Sequence, residues 1–211
     1  MLYFFYYVID NLLLVVLATD QQNARSILVY QHNLDKISSL TARTAMGVAG
    51  PNCDLVNFTE YISKNLKLYE LSNDYIDDHK KELSTHAVAH FCRNELATAL
   101  RRGPAYQVNI LLGGYDDKVG ASLYFMDYLA ALQKVPYGAQ GYASYFCMGI
   151  LDKEYPATAA ECTEEHAVNM IQQCIHELHT RFMLAQKNFI IKVVDKNGIR
   201  TVAQGADPFD N

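Results

Sequence analysis

Apolar residues crowd onto consecutive positions at Val108, Ile110, Leu111 and Leu112, with only Asn109 between them, and the character returns over residues 121–128. The polar turn Asp116-Asp117-Lys118 and Gly120 separates the two runs, so together they predict a β-hairpin. A strand wet on one face would alternate apolar and polar side chains; one apolar at nearly every position predicts cover on both faces. Residues 12–18 are apolar without a break and predict a second sandwiched strand. The aromatic stretch before them, joined through Asp10-Asn11, predicts its hairpin partner. Short strands follow near residues 27–30, 36–40 and 44–49, with a connection over 21–26.

The period then changes. Gly50-Pro51-Asn52 closes the strands, with Asn52 as the expected helix cap, and Leu55, Phe58, Ile62, Leu66 and Tyr69 recur at helical spacing. An acidic, polar loop is expected over 72–81. A second helix starts near Ser84 or Thr85, with a stripe of Val88, Cys92, Leu96 and Leu100, and Arg101 and Arg102 suit its C-terminal dipole. Small and aromatic residues predict a helix over 143–151. Another begins at Thr163-Glu164-Glu165 and buries Ala167, Met170, Ile171, Cys174, Ile175 and Leu178. A closing hairpin pairs 189–194 with 199–202 around Asp195-Lys196-Asn197-Gly198, where Asn-Gly signals a tight turn. The polar end, about 204–211, is expected to fray or to dock on a partner.

This order, strands then two helices, strands then two helices, then two strands, is not the βαβ alternation of a parallel sheet. Antiparallel sheets stacked face to face, with a helix pair on each outer surface, satisfy it: an α+β, four-layer αββα sandwich. A chain of 211 residues suffices for one substantial core, and a single domain over 1–211 is expected.

Composition narrows the function. With 50% hydrophobic residues and a net charge of -5, the chain is neither disordered nor an electrostatic binder of nucleic acid. The five cysteines, Cys53, Cys92, Cys147, Cys162 and Cys174, are odd in number and form no Cys-x-x-Cys pair, which fits reduced thiols in cytoplasm or nucleus. Residues 1–19 are apolar enough to imitate a membrane anchor. No Lys or Arg precedes them, and Asp10-Asn11 interrupts them at a cost of about 2.5–3.5 kcal/mol for an ionised Asp in mid-bilayer, so a hairpin is expected and no membrane contact.

Candidate chemistry outside one constellation is thin. His86 and His90 have the i, i+4 spacing of zinc ligands, but Ala87 stands where a zinc protease carries glutamate and no third ligand is evident. Cys174, His176, Glu177 and His179 spread around a helix axis, which fits one core thiol among solvated polar groups. Gly113-Gly114 lacks the strand-to-helix context of a phosphate loop and is expected to permit close packing or a bulge. Tyr124, Tyr128 and Tyr142 are candidates for core or subunit contacts. No metal and no cofactor is expected.

Several motifs in one order carry a resemblance. Tyr106-Gln107-Val108-Asn109, Gly114-Tyr115-Asp116, Tyr124-x-Met126-Asp127-Tyr128-Leu129, Gly141-Tyr142, Asn57-Phe58-Thr59-Glu60-Tyr61-Ile62, Lys64-Asn65-Leu66, Arg181-Phe182 and Asp195-Lys196-Asn197-Gly198 resemble the β-type subunits of the eukaryotic 20S proteasome, from about residue 12 to 198. The resemblance implies the N-terminal nucleophile hydrolase fold, itself an αββα sandwich. It implies partners as well: other β subunits in a seven-membered ring, an adjacent α ring and an opposite β ring, working in ubiquitin- and ATP-dependent protein degradation. Catalytic members cleave peptides with an N-terminal Thr whose own amine is the base, tuned by an aspartate and a lysine and served by a glycine N–H at the oxyanion.

Carried over residue by residue, Asp20 and Lys36 match the aspartate and lysine, Gly50 matches the oxyanion glycine, and the nucleophile position falls on Phe4. Phenylalanine has neither hydroxyl nor thiol, and no Thr, Ser or Cys precedes Thr19. Tyr142 and Phe182 stand where active members carry a serine and an aspartate. The family's opening strand usually contains glycine, whereas residues 1–7 here are aromatic. The expectation is a non-catalytic structural ring subunit in which Asp20, Lys36 and Gly50 persist for structural reasons. Its rival is an active N-terminal threonine endopeptidase.

Overall fold

Strand β2 (Leu14–Asp20) shows why the chain is so apolar. Val16 and Ala18 pack into a core shared with two helices, while Val15 and Leu17 on the other face pack into a core between two sheets, and all four are fully buried. Val15, Val16 and Leu17 each contribute roughly 1.5–3 kcal/mol by leaving water, and the smaller Ala18 less. The computed structural model describes residues 4–9, 13–25, 28–74, 82–155, 163–182 and 188–205, with side chains left aside over 4–9.

The remaining strands are β1 (Phe4–Ile9), β3 (Asn23–Arg25), β4 (Leu28–Gln31), β5 (Ile37–Thr41), β6 (Thr44–Ala49), β7 (Asn109–Asp116), β8 (Gly120–Met126), β9 (Leu132–Lys134), β10 (Tyr137–Gln140), β11 (Phe189–Asp195) and β12 (Gly198–Gly205). They form two five-stranded sheets, β10-β1-β2-β11-β12 and β5-β6-β7-β8-β9, and a small β3-β4 ribbon; every pairing is antiparallel.

Helices α1 (Asn52–Asp74) and α2 (Thr85–Arg102) cover the second sheet, burying Phe58, Ile62, Leu66, Val88, Cys92 and Leu96 against Met46, Ile110 and Leu112. Helices α3 (Ser144–Glu154) and α4 (Glu164–Arg181) cover the first. Caps fix the ends. Ser84 accepts a hydrogen bond from Ala87 N at 3.2 Å and Thr163 one from His166 N at 3.2 Å, each satisfying a donor the helix cannot. The layers run helix, sheet, sheet, helix, as the apolar runs predict.

Some expectations are corrected. Asn52 is the first helical residue of α1 rather than a side-chain cap, its amide donating to Asn23 Oδ1 at 2.7 Å. Helix α1 runs on to Asp74, into the start of the expected 72–81 loop, and the rest of that loop, 75–81, lies outside the described residues. On α2 the buried stripe continues through Ala99, and Leu100 is exposed. Tyr69 is exposed too. The connection expected over 21–26 contains β3, and β12 carries the last hairpin through Gln204 and Gly205, the first residues of the expected tail. The turn at Asp10-Asn11 and Cys162 fall outside the described residues.

Gly113-Gly114 serves close packing. No register shift interrupts β7, and a Cβ on Gly113 would sit 2.5 Å from Val15 Cγ1 of the facing sheet. On Gly114 it would sit 2.4 Å from Thr85 Oγ1 at the start of α2.

Cys92 sits in the apolar core beneath α2, and burial pushes its thiol up to about 12. A maleimide at pH 8 should therefore label exposed Cys53 rapidly in the folded chain and reach Cys92 and Cys147 only on unfolding. Above pH 9 the unfolded chain loses the Cys92 proton before the folded one does. This group should then lower stability with rising pH, by at most about 1.4 kcal/mol per unit until about 12. Rapid labelling of Cys92 without unfolding would contradict the burial.

Candidate functional site

Strand β1 is inserted between β2 and β10, and at its first residue Phe4 pairs with Thr19 on one side and Gln140 on the other. Thr19 and Gln140 are buried polar residues flanking this position in register.

One residue past Thr19, Asp20 ends β2 with its carboxylate buried. Lys36 comes from the loop before β5, and its Nζ donates to Asp20 Oδ2 at 2.7 Å and to Gln22 O at 2.7 Å. Gln22 N donates to the same Asp20 oxygen at 3.1 Å, so carboxylate, ammonium and backbone form one knot. Burial holds the Lys36 ammonium below its ordinary value, outweighing the attraction and hydrogen bond of Asp20. The neighbouring Asp35 pairs with Lys192 of β11, and Lys192 Nζ also donates to Ile37 O at 3.0 Å. Two adjacent residues thus fasten one loop to β2 and β11, neighbouring inner strands of the first sheet.

Gly50 lies where β6 hands over to α1. A Cβ there would sit 2.4 Å from the backbone oxygen of Gln107, so the passing chain alone forbids a side chain. It opens onto a cleft of about 1150 Å³ bordered also by Tyr30, Cys53, Gln140, Tyr142 and Tyr145. The Ser144 hydroxyl at this cleft donates to Gly141 O at 2.7 Å, and the Cys53 thiol to Asp54 Oδ1 at 3.6 Å.

Tyr142 and Phe182, where the resemblance calls for a serine and an aspartate, come together as rings 6.0 Å apart, and Phe146 meets Phe182 edge-on at 5.8 Å. The three rings form an aromatic cluster there.

The structure thus gathers Asp20 with Lys36 and Tyr142 with Phe182, and puts Gly50 and Tyr142 on one cleft. It does not gather the other candidates. His86 and His90 rings lie 4.3 Å apart on the far side of the second sheet, Cys174 is buried while His176 is exposed, and Tyr128 is exposed. Among the described residues no group of three or more His, Cys, Asp or Glu is placed to hold a metal ion, and no helix is long and apolar enough to cross a membrane. Sequence reasoning missed Gln22, Asp35 and Lys192. Lys192 had a signal: one ammonium inside the apolar strand from Phe189 to Val194 requires a partner.

Comparison with known proteins agrees with this architecture. A family model described as Proteasome subunit matches residues 14–194. Proteasome subunit beta type-2 of Oryza sativa subsp. japonica is 47% identical over 191 residues, covering 90% of this chain and 85% of the rice protein. The protein of that name in Dictyostelium discoideum is 41% identical over 191 residues, 89% of this chain and 91% of its own. Proteasome subunit beta type-4 of Saccharomyces cerevisiae is 40% identical over 189 residues, with 89% and 91% covered.

Proposed function

Because the chain belongs to the proteasome subunit family, we propose that it is a β-type subunit of the 20S core particle that cleaves no peptide bond itself and serves assembly and the wall of the proteolytic chamber. The observation that carries this reading is the register position of Phe4. It is paired with Thr19, one residue from the Asp20–Lys36 knot, where an active subunit needs a hydroxyl. Phenylalanine at that position has neither a hydroxyl nor a thiol to attack with.

The surroundings support it. The Tyr142–Phe182 contact replaces the polar groups that would assist a nucleophile. Gly50 is accounted for by Gln107 and the Lys36 ammonium by Asp20 and Gln22, so none needs an oxyanion or a proton transfer to explain its presence. As a proposal, the chain is one domain that sits in a seven-membered β ring between an α ring and the opposite β ring, in cytoplasm and nucleus.

The test is made on core particles purified with this chain in place. N-terminal sequencing and intact mass should give a subunit whose first residue is not Thr, and a threonine-directed covalent inhibitor should add no mass to it while adding mass to other subunits. A mature chain beginning with Thr and carrying the inhibitor would make it an active endopeptidase.

A further inference from the structure

On α2, His86, His90 and Arg93 follow one another at intervals of four and three and so share a stripe of the helix. Lys134, at the end of edge strand β9, shares with them a cleft of about 640 Å³ that is otherwise lined by Tyr124, Ala131 and Leu132. His86 Nδ1 lies 3.2 Å from the Tyr124 hydroxyl, and Arg93 spends its Nε hydrogen on Ala130 O at 3.2 Å. Among the described residues the terminal nitrogens of the guanidinium have no hydrogen-bond acceptor.

The charges here are unbalanced. Arg43 is held by both Glu82 and Asp117, yet among the described residues neither Arg93 nor Lys134 has a carboxylate partner. The neighbouring carboxylates are engaged elsewhere: Asp116 accepts from Thr85 N, and Asp127 from Leu129 N and Ala131 N. A guanidinium, an ammonium and two imidazoles therefore converge on a recess whose remaining lining is largely apolar.

We propose that this cleft docks a short acidic segment, carrying at least two Asp or Glu side chains, of a different subunit in the assembled particle; the proposal rests on the assembly reading above. Charge complementarity selects the occupant. The chain as a whole carries -5, so its general field opposes a long polyanion such as a nucleic acid, while a local cationic recess accepts a few carboxylates. Arg93 offers the fork that matches a carboxylate, and Tyr124 and Leu132 receive the aliphatic parts of the segment. The volume falls within the roughly 300–1,000 Å³ range of small binding sites.

Intact particles treated with a zero-length carbodiimide and digested for mass spectrometry should show Lys134 coupled to an Asp or Glu of another subunit. Lys134 should also acetylate at least tenfold more slowly in the particle than in the free chain, whereas Lys64, which is 73% exposed, serves as the reference. The double variant Arg93→Glu, Lys134→Glu, expressed beside the parent, should enter particles at least tenfold less often. Acetylation unchanged by assembly, or coupling only to a second copy of this chain, overturns the proposal. A chain that never enters a particle overturns the assembly reading itself, which the same preparation reports separately.

Discussion

Replacing Lys36 by methionine lowers the stability of the subunit by about 3–5 kcal/mol, read as a shift of the urea midpoint with an unchanged slope. The ammonium is fully enclosed and donates to Asp20 Oδ2 and Gln22 O, each at 2.7 Å. Removing it strands a buried carboxylate beside an apolar methyl group, and the cost is the desolvation of a charge that has lost its countercharge. The double replacement Asp20→Leu, Lys36→Met removes both charges and should recover most of the loss. This contrast measures how far the pair holds the fold together. If it contributed nothing to the fold, the single variant would keep the parental midpoint. A parental urea midpoint for Lys36→Met would therefore refute the structural role.

Substituting Gly113 by alanine should cost about 1–3 kcal/mol, a large effect for one methyl group. Its Cβ would meet Val15 Cγ1 at 2.5 Å and Leu17 Cδ2 at 3.3 Å, inside the core between the sheets. Neither strand can step aside, because β7 is bonded to β6 and β8, and β2 to β1 and β11. Val15→Ala alone opens a cavity and should also destabilise, by about 1–2 kcal/mol. Together the two changes restore the volume, so the double variant should be at least about 1 kcal/mol more stable than the sum of the singles predicts. Strict additivity would mean that the sheets do not touch through Gly113.

How far the chain could be read from its sequence varies with the physics at each position. Strands β2, β6, β7, β8 and β11 were legible because both of their faces are covered, which forces nearly continuous apolar runs. Strands β9 and β10, of 3 and 4 residues, were not, since such short segments at a sheet edge or beside β1 carry no measurable period. Leu100 followed the helical count yet faces solvent, because the rotation of α2 on its sheet is set by which residues the sheet can receive, and it receives Ala99. In the site, Asp20, Lys36 and Gly50 were found through family motifs; the sequence alone gives no sign that the Gln22 backbone completes the knot or that Asp35 is the partner Lys192 requires, since those contacts depend on how distant segments are brought together. The Tyr142–Phe182 contact joins residues 40 positions apart by way of the 3-10 turn Gly141–Ala143 and the end of α4.

The order of strands has a consequence for how the polypeptide emerges from the ribosome. The second sheet takes its five strands from residues 37–134 in sequential order, so it and both its helices can close while translation continues. The first sheet waits: β1 needs β10, and β2 needs β11, which begins at Phe189. Strands β1 and β2 therefore wait with open edges, β1 until Tyr137–Gln140 is made and β2 until Phe189–Asp195 is made, the kind of surface a chaperone would have to shield.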